Sequence, residues 1–481
     1  MPWSRKKAIT DITFVTLSQY LTQFILILRG FIFAKFLGPE LFGVYSAIFL
    51  FYTYGVYAQL GILDGLWRLV PYFLAQGDEA KGRNYLSTGF WALNFFGLTF
   101  VFLVFIIKLN FIVLLSALAV FFFLNFSFML LKFQIQHKFK LLGVYQTLLS
   151  IADLIFSSIL MFKLHVEGIY IGMNLALILT ILLANKNLNL KFERHFDLFE
   201  LKEILKIGFV NLLIGFGLRL LMTMDKFSVA NFFDKASMGF YSVAYSIGML
   251  PFFIPMTLNQ VIGQRMIEEY GRTKEVQSLK IFLDESLIFL SFVLPFVSIF
   301  AIAFAEPFII LLLPKYLYSL KLVDKLAISF YFISLSAIPL TFLVTINERK
   351  WIIVSEFLLI GLLFIVNYVI AKSSLELVWI TYAVLVAYFL YFISLIYLSY
   401  RKFYDILKIF NLALKLSLPV FPIFLVFSLK FINFGEWGNL VKFSLRIIIG
   451  LIWISFAIFY LKRKTVIISQ MIQIIRERVG L

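Results

Sequence analysis

The sequence predicts an all-α integral membrane protein. It would hold about 14 transmembrane helices, as two parallel-repeat six-helix bundles plus two C-terminal helices. Three observations carry this. The 481 residues are 62% hydrophobic and only 14% charged, with a mean hydropathy of +0.97. A soluble domain is nearer half apolar and a quarter charged, so lipid is the solvent this surface requires. Apolar segments of roughly 20 residues, enough to cross a bilayer, then recur to the end of the chain. Finally, a stretch around Ala34 returns around Ala230 in the same orientation.

By length and hydropathy the crossings fall near 11–35, 42–70, 85–107, 111–132, 142–163, 166–184, 203–224, 238–262, 280–305, 325–346, 351–371, 375–399, 411–431 and 439–461. Because apolar segments continue throughout, 11–35 reads as a first crossing and not as a cleaved signal. The predicted domains are an N-terminal bundle over 1–195, a second over 196–400, and two extra crossings with a basic amphipathic tail over 401–481. Three amphipathic stretches, 196–208, 266–282 and 466–479, have the spacing of helices lying on the membrane interface. Pro251, Pro255, Pro295 and Pro339 interrupt apolar segments and predict kinks.

The net charge is +17. With the N-terminus inside, about 28 of the 43 basic residues fall on the inner side and about 11 on the outer. That one-sided bias explains the charge without nucleic acid. It puts both termini in the cytoplasm of a multi-pass protein of the cell membrane. No loop exceeds roughly 25 residues, which leaves no room for a soluble catalytic domain. There is no cysteine, and His137, His165 and His195 are too scattered for a metal cluster. The chain lacks a P-loop, an H-E-x-x-H and a G-x-S-x-G. No cofactor, metal or enzymatic chemistry is expected.

The repeat sits in FAKFLGPELFGVYS (33–46) and VANFFDKASMGFYS (229–242). Ala34, Phe36, Gly43, Tyr45 and Ser46 match Ala230, Phe232, Gly239, Tyr241 and Ser242 at a constant offset. Both copies occupy an outer turn between an outgoing and an incoming helix, with six crossings between them. The copies therefore point the same way, as in transporters whose halves are related by an axis along the membrane normal. Gly38-Pro39 stops the first helix, Glu40 suits the first turn of the next, and Gly43 and Gly239 allow close helix approach.

With LGILDGLWRLVPYF (60–73), the first copy resembles the opening of the polysaccharide-exporter, or O-antigen (lipid-linked oligosaccharide) flippase, branch of the multidrug/oligosaccharidyl-lipid/polysaccharide flippase superfamily. MDKFSVANFFDKASMGFYSVAYSI (224–247) is similar to the Asp-containing pattern that opens that family's second half. The resemblance implies alternating-access flipping of a polyprenyl-(pyro)phosphate-linked oligosaccharide from the inner to the outer leaflet. Proton or sodium coupling and other polysaccharide-assembly proteins as partners are compatible with it. Two rivals are disfavoured, by the arginines and by the short outer loops respectively, and a non-transporting scaffold in a polysaccharide-assembly complex stays open as a third. A cation or drug antiporter of the same superfamily would have an acidic cavity, and a membrane polysaccharide polymerase would have a large outer loop.

Charges inside apolar segments are the candidate site. Arg29 and Arg219 lie in corresponding helices of the two halves. As guanidinium groups they suit a lipid phosphate or pyrophosphate, and the plainer role is an ion pair or snorkelling to headgroups. Asp64 and Arg68 share a helix face four residues apart, either as an internal salt bridge or in gating and coupling, with Arg68 a further phosphate candidate. Asp153 is a lone mid-helix acid, open to pairing or coupling. Asp225, beside Lys226 and matching the resembled pattern, is either a coupling or a structural acid.

Overall fold

The computed structural model describes residues 5–107, 110–188, 194–373, 375–429, 432 and 438–464. Every regular element among them is helical: α1 (Arg5–Gly55), α2 (Ile62–Ala75), α3 (Glu79–Ile106), α4 (Phe111–Ile135), α5 (Phe139–Leu188), α6 (Leu198–Phe232), α7 (Lys235–Gly248), α8 (Phe253–Thr273), α9 (Lys280–Leu312), α10 (Leu320–Leu335), α11 (Ala337–Thr345), α12 (Arg349–Lys372), α13 (Val378–Tyr400), α14 (Ile406–Ser417), α15 (Phe421–Ser428) and α16 (Gly438–Lys464). Short 3-10 turns join several of them.

Twelve spans are long and apolar enough to cross a bilayer, counting the pair α7 and α8, bent by 42°, as one. Two of the twelve are fold-backs. Helix α1 reverses at Gly38, whose φ of 73° is a backbone setting that glycine adopts without strain, and Pro39 starts the return limb. The reversal brings the rings of Phe33 and Tyr45 to 5.4 Å. Helix α5 reverses at His165 (φ 48°), so that Ser157 Oγ reaches the carbonyl of Ile169 at 3.0 Å. With each fold-back counted as two passes, the described residues make fourteen crossings, matching the predicted number.

The expected interfacial helices at 196–208 and 266–282 are not separate elements. The first is the opening of α6, started by Asp197, whose carboxylate accepts from the backbone N–H of Phe199 (2.6 Å) and Glu200 (3.2 Å). The second divides between the end of α8 and the start of α9. Their charged faces belong to the ends of longer helices. The third stretch, 466–479, lies outside the described residues. Of the expected kinks, Pro251 stands in the 3-10 turn at the α7–α8 bend, and Pro295 lies inside α9.

The chain forms two compact units. One holds residues 1–230 with 234–239; the other holds 231–233 with 240–481. Helix α6, the seventh crossing, and the first residues of α7 group with the first unit, while the helices after residue 400 group with the second.

Inside the first unit the two repeat turns touch. A Cβ on Gly43 would lie 1.8 Å from the carbonyl oxygen of Lys235, and one on Gly239 would lie 2.1 Å from that of Pro39. Pro39 and Lys235 stand in the same relation as Gly43 and Gly239, at the repeat offset. The contact is thus reciprocal, as an approximate two-fold axis requires. Two helix backbones can approach this closely only through glycine.

Candidate functional site

The second crossing is not one helix. It starts at Pro39 and unwinds after Gly55 into a 3-10 turn, Val56–Gln59. Leu60 (φ 51°) and Gly61 (φ 92°) then both take left-handed conformations before α2 begins. For Leu60 this conformation costs on the order of 1–2 kcal/mol, and such strain collects where a chain is shaped for a task. Packing holds the break in place. A Cβ on Gly61 would sit 2.5 Å from the carbonyl carbon of Gly208 on α6, and one on Gly65 would sit 2.3 Å from the carbonyl oxygen of Ile204.

Unwinding in the bilayer frees backbone groups that must find partners. Gln59, buried, supplies one: its Oε1 accepts from the N–H of Leu63 at 2.7 Å. Its Nε2 donates to Asp64 Oδ2 at 3.3 Å. Asp64 therefore stands in the first turn of α2, where the helix dipole favours an acid. Its partner is Gln59, and the internal pair with Arg68 does not form. Arg68 is exposed, with no ion pair among the described residues.

Across the break, α6 presents Arg219. Tyr57, on the unwound segment, places its hydroxyl 3.2 Å from the carbonyl of Gly215 and beside the Arg219 guanidinium, with Asp64 also within electrostatic reach. One turn earlier, the Tyr54 hydroxyl bonds Thr223 Oγ1, which donates to the carbonyl of Arg219 at 2.7 Å. Asp225 is fully buried six residues beyond Arg219 on α6; its Oδ1 accepts from the N–H of Lys226 at 2.7 Å, and its charge reaches Tyr54. The structure thus gathers Arg219, Asp64 and Asp225 around the broken crossing. Arg219 is exposed and has no carboxylate partner among the described residues. A guanidinium so placed inside an apolar span offers a planar fork of donors to an oxyanion.

Arg29 sits elsewhere, in a closed polar core. It is 6% exposed and its Nη1 is paired with Asp153 Oδ2, while Nη2 donates to the Tyr45 hydroxyl at 3.3 Å. Asp153 Oδ1 accepts from Ser157 Oγ at 2.6 Å. The ring of Phe33 lies 5.5 Å from the guanidinium carbon, and the Tyr170 hydroxyl donates to the carbonyl of Tyr45 at 3.3 Å. This core ties both limbs of α1 to both limbs of α5. Arg29 and Arg219 share no contact.

Further buried charges lie in the second unit, outside the residues that sequence reasoning picked; two of them are Glu356 and Arg446. Glu356 on α12 is fully buried and accepts from the Tyr391 hydroxyl of α13 at 2.9 Å. Arg446 on α16, 1% exposed, pairs with Glu306 of α9 at 2.6 Å. Both stand inside predicted crossings, so a charge within an apolar run was the signal available.

A family model described as "Polysaccharide biosynthesis protein" matches residues 32–319. The chain belongs to that family. Among solved structures it is similar to the lipid II flippase MurJ in an inward closed conformation, with 16% identity, 94% of this chain and 99% of that chain covered, and a TM-score of 0.67. It is also similar to an inward-facing multidrug resistance MATE transporter of the MOP superfamily (15% identity, 81% and 100% covered, TM-score 0.61). A MOP superfamily transporter from Pyrococcus furiosus shares 15% identity, with 82% and 96% covered and a TM-score of 0.55. At these identities the likeness is one of fold. No curated protein matches the chain in sequence.

Proposed function

We propose that this member of the polysaccharide biosynthesis protein family is a flippase. It moves a lipid-linked oligosaccharide from the cytoplasmic to the outer leaflet of the cell membrane by alternating access, with both termini in the cytoplasm. The observation that carries this is Arg219: a guanidinium without a carboxylate partner among the described residues, inside an apolar span and facing the unwound second crossing. Such a group recognises phosphate and repels the organic cations that an antiporter would carry. The fold shared with a lipid II flippase supports the reading.

In this scheme Arg219 receives the (pyro)phosphate, with Arg68 on the approach along α2. Asp64 and Asp225 bias the Tyr54–Asp64 segment between its arrangements, through proton or sodium exchange. Arg29 and Asp153 neutralise each other and act on the substrate only if the pair opens. The repeat pairs α6 with α1, so the functional boundary between halves lies near residue 195.

The test is flipping in liposomes that contain a fluorescent polyprenyl-pyrophosphate oligosaccharide, read as accessibility of the head group to an outside reagent. Wild-type protein should give protein-dependent accessibility, and Arg219→Ala should slow it at least tenfold with folded protein unchanged, from loss of ~1.5–3 kcal/mol of charged hydrogen bonding. Proton-driven efflux of an organic cation in place of flipping would overturn the proposal.

A further inference from the structure

The opening turns of α6 carry charge on two sides with different fates. On one side the acids are engaged. Glu200 Oε2 accepts from Thr88 Oγ1 at 2.6 Å and lies 3.1 Å from His195 Nε2. Glu203 accepts from the Tyr85 hydroxyl, and Asp197 caps the helix. All of these bonds point toward α3 or the helix start. On the other side stand Lys202 and Lys206, both exposed and neither in an ion pair or hydrogen bond among the described residues. They are one turn apart on the same face, about 5–6 Å between Cβ atoms, where two like charges disfavour each other unless an anion lies between them.

These lysines flank a groove of about 520 Å³, within the ~300–1,000 Å³ range of small-ligand sites. Its walls are Leu198, Leu201, Leu205, Phe209 and, at its inner end, Leu60. The first four recur at helical spacing along one face of α6, beside the two lysines. Leu198 is 73% exposed and Phe209 45%, an apolar surface left open beside two uncompensated cations. Leu60 is the left-handed residue of the broken crossing, next to Gln59 and Asp64.

We infer that this groove is a binding site for the phosphate end of a single-chain isoprenoid lipid. The phosphate sits between Lys202 and Lys206, and the first chain units lie along the leucines. The groove takes the carrier in the inner leaflet and presents its phosphate to the unwound segment at Leu60. The inference rests on the flippase reading for the identity of the carrier. Its chemistry, an anion beside an apolar strip, rests on the groove alone.

The experiment uses the full chain in nanodiscs with a polyprenyl phosphate carrying a photoreactive group near the phosphate, and maps labelled peptides. Labelling should fall on residues 198–209. It should drop about thirtyfold in Lys202→Gln/Lys206→Gln, since each lysine near a membrane surface contributes roughly a fivefold effect. It should also drop in Leu205→Trp, which fills the groove and keeps both charges. Excess phosphatidylglycerol or polyprenol should compete weakly. Equal displacement by phosphatidylglycerol would make the lysines general membrane anchors and overturn the inference. Labelling indifferent to both variants would overturn it too. Flipping by wild type without labelling of 198–209 removes the groove and leaves the flippase reading. Labelling without flipping does the reverse.

Discussion

The buried pair between Arg29 and Asp153 yields a prediction that separates two roles for one arginine. Both side chains are almost fully enclosed, at 6% and 5% exposure. At contact separation of ~3 Å and an effective dielectric near 20, their attraction is about 5 kcal/mol, much of it offset by the desolvation of both ions. Removing one partner strands the other without water. Ser157 donates one hydrogen bond to Asp153 and Tyr45 accepts one from Arg29, too few to replace a counter-ion. Asp153→Leu and Arg29→Leu should therefore each destabilise the protein by about 3–5 kcal/mol. The double variant should be no less stable than either single, giving a coupling energy of at least about 3–5 kcal/mol. Thermal or denaturant unfolding of the four proteins in one detergent measures the cycle. Additive losses, with the double variant as unstable as the sum of the singles, would refute the pairing energetics. A double variant that is stable but fails to flip would give Arg29 a role in transport beyond holding α1 to α5.

The glycine contact makes a second prediction. Gly43→Ala places a methyl 1.8 Å from the Lys235 carbonyl, so α1 and α7 must move apart, at roughly 1–3 kcal/mol; Gly239→Ala should lower the melting temperature similarly, and wild-type melting in both would show that the helices do not touch there. A third concerns acid. Glu348, just before α12, is held below its usual range, first by its hydrogen bond to Lys402 and also by the charges of Lys402 and Arg401, with Lys402 Nζ at 2.7 Å. A depressed carboxyl stabilises the fold above its unfolded pKa and loses that contribution as pH falls through its folded one. The melting advantage of wild type over Glu348→Gln should thus be present at pH 7 and close below pH ~4.3; a gap that closes above pH 6, or stays open to pH 3, contradicts the pairing.

Much of the fold was legible because the bilayer imposes a simple rule of one apolar run per crossing. Gly38-Pro39 could be read as a stop because both residues have strong backbone preferences. The break at Val56–Gly61 could not, since YGVYAQLGIL keeps its hydropathy through the unwound turn and only Gly55, Gln59 and Gly61 hint at it. Hydropathy reports burial in lipid, not whether the backbone inside it is helical. The charges were visible as candidates, but their partners were not. Arg29 and Asp153 lie 124 residues apart, and nothing local in either segment indicates the other. The amphipathic stretch at 196–208 was seen, yet its two charged sides have different employment: Glu200 and Glu203 face α3, and Lys202 and Lys206 line an apolar groove.

The repeat and the charges obey opposite rules, and the contrast indicates how such a chain divides its work. Where backbones meet, the copies are equivalent: Pro39 with Lys235 and Gly43 with Gly239 form one reciprocal contact. Where chemistry sits, the same offset joins unlike residues. Arg29 falls on Asp225, and Asp64 on Gln260. In transporters built of parallel repeats the halves rock against each other, which a contact shared equally by both copies would suit. A ligand site has no such need, since an anionic head group is a single asymmetric object that only one cationic surface must meet. In the flippase proposed here, duplication would supply the contact and divergence the site. For that reason Arg219, whose partner at the repeat offset is the neutral Gln23, is the arginine to which the phosphate is assigned.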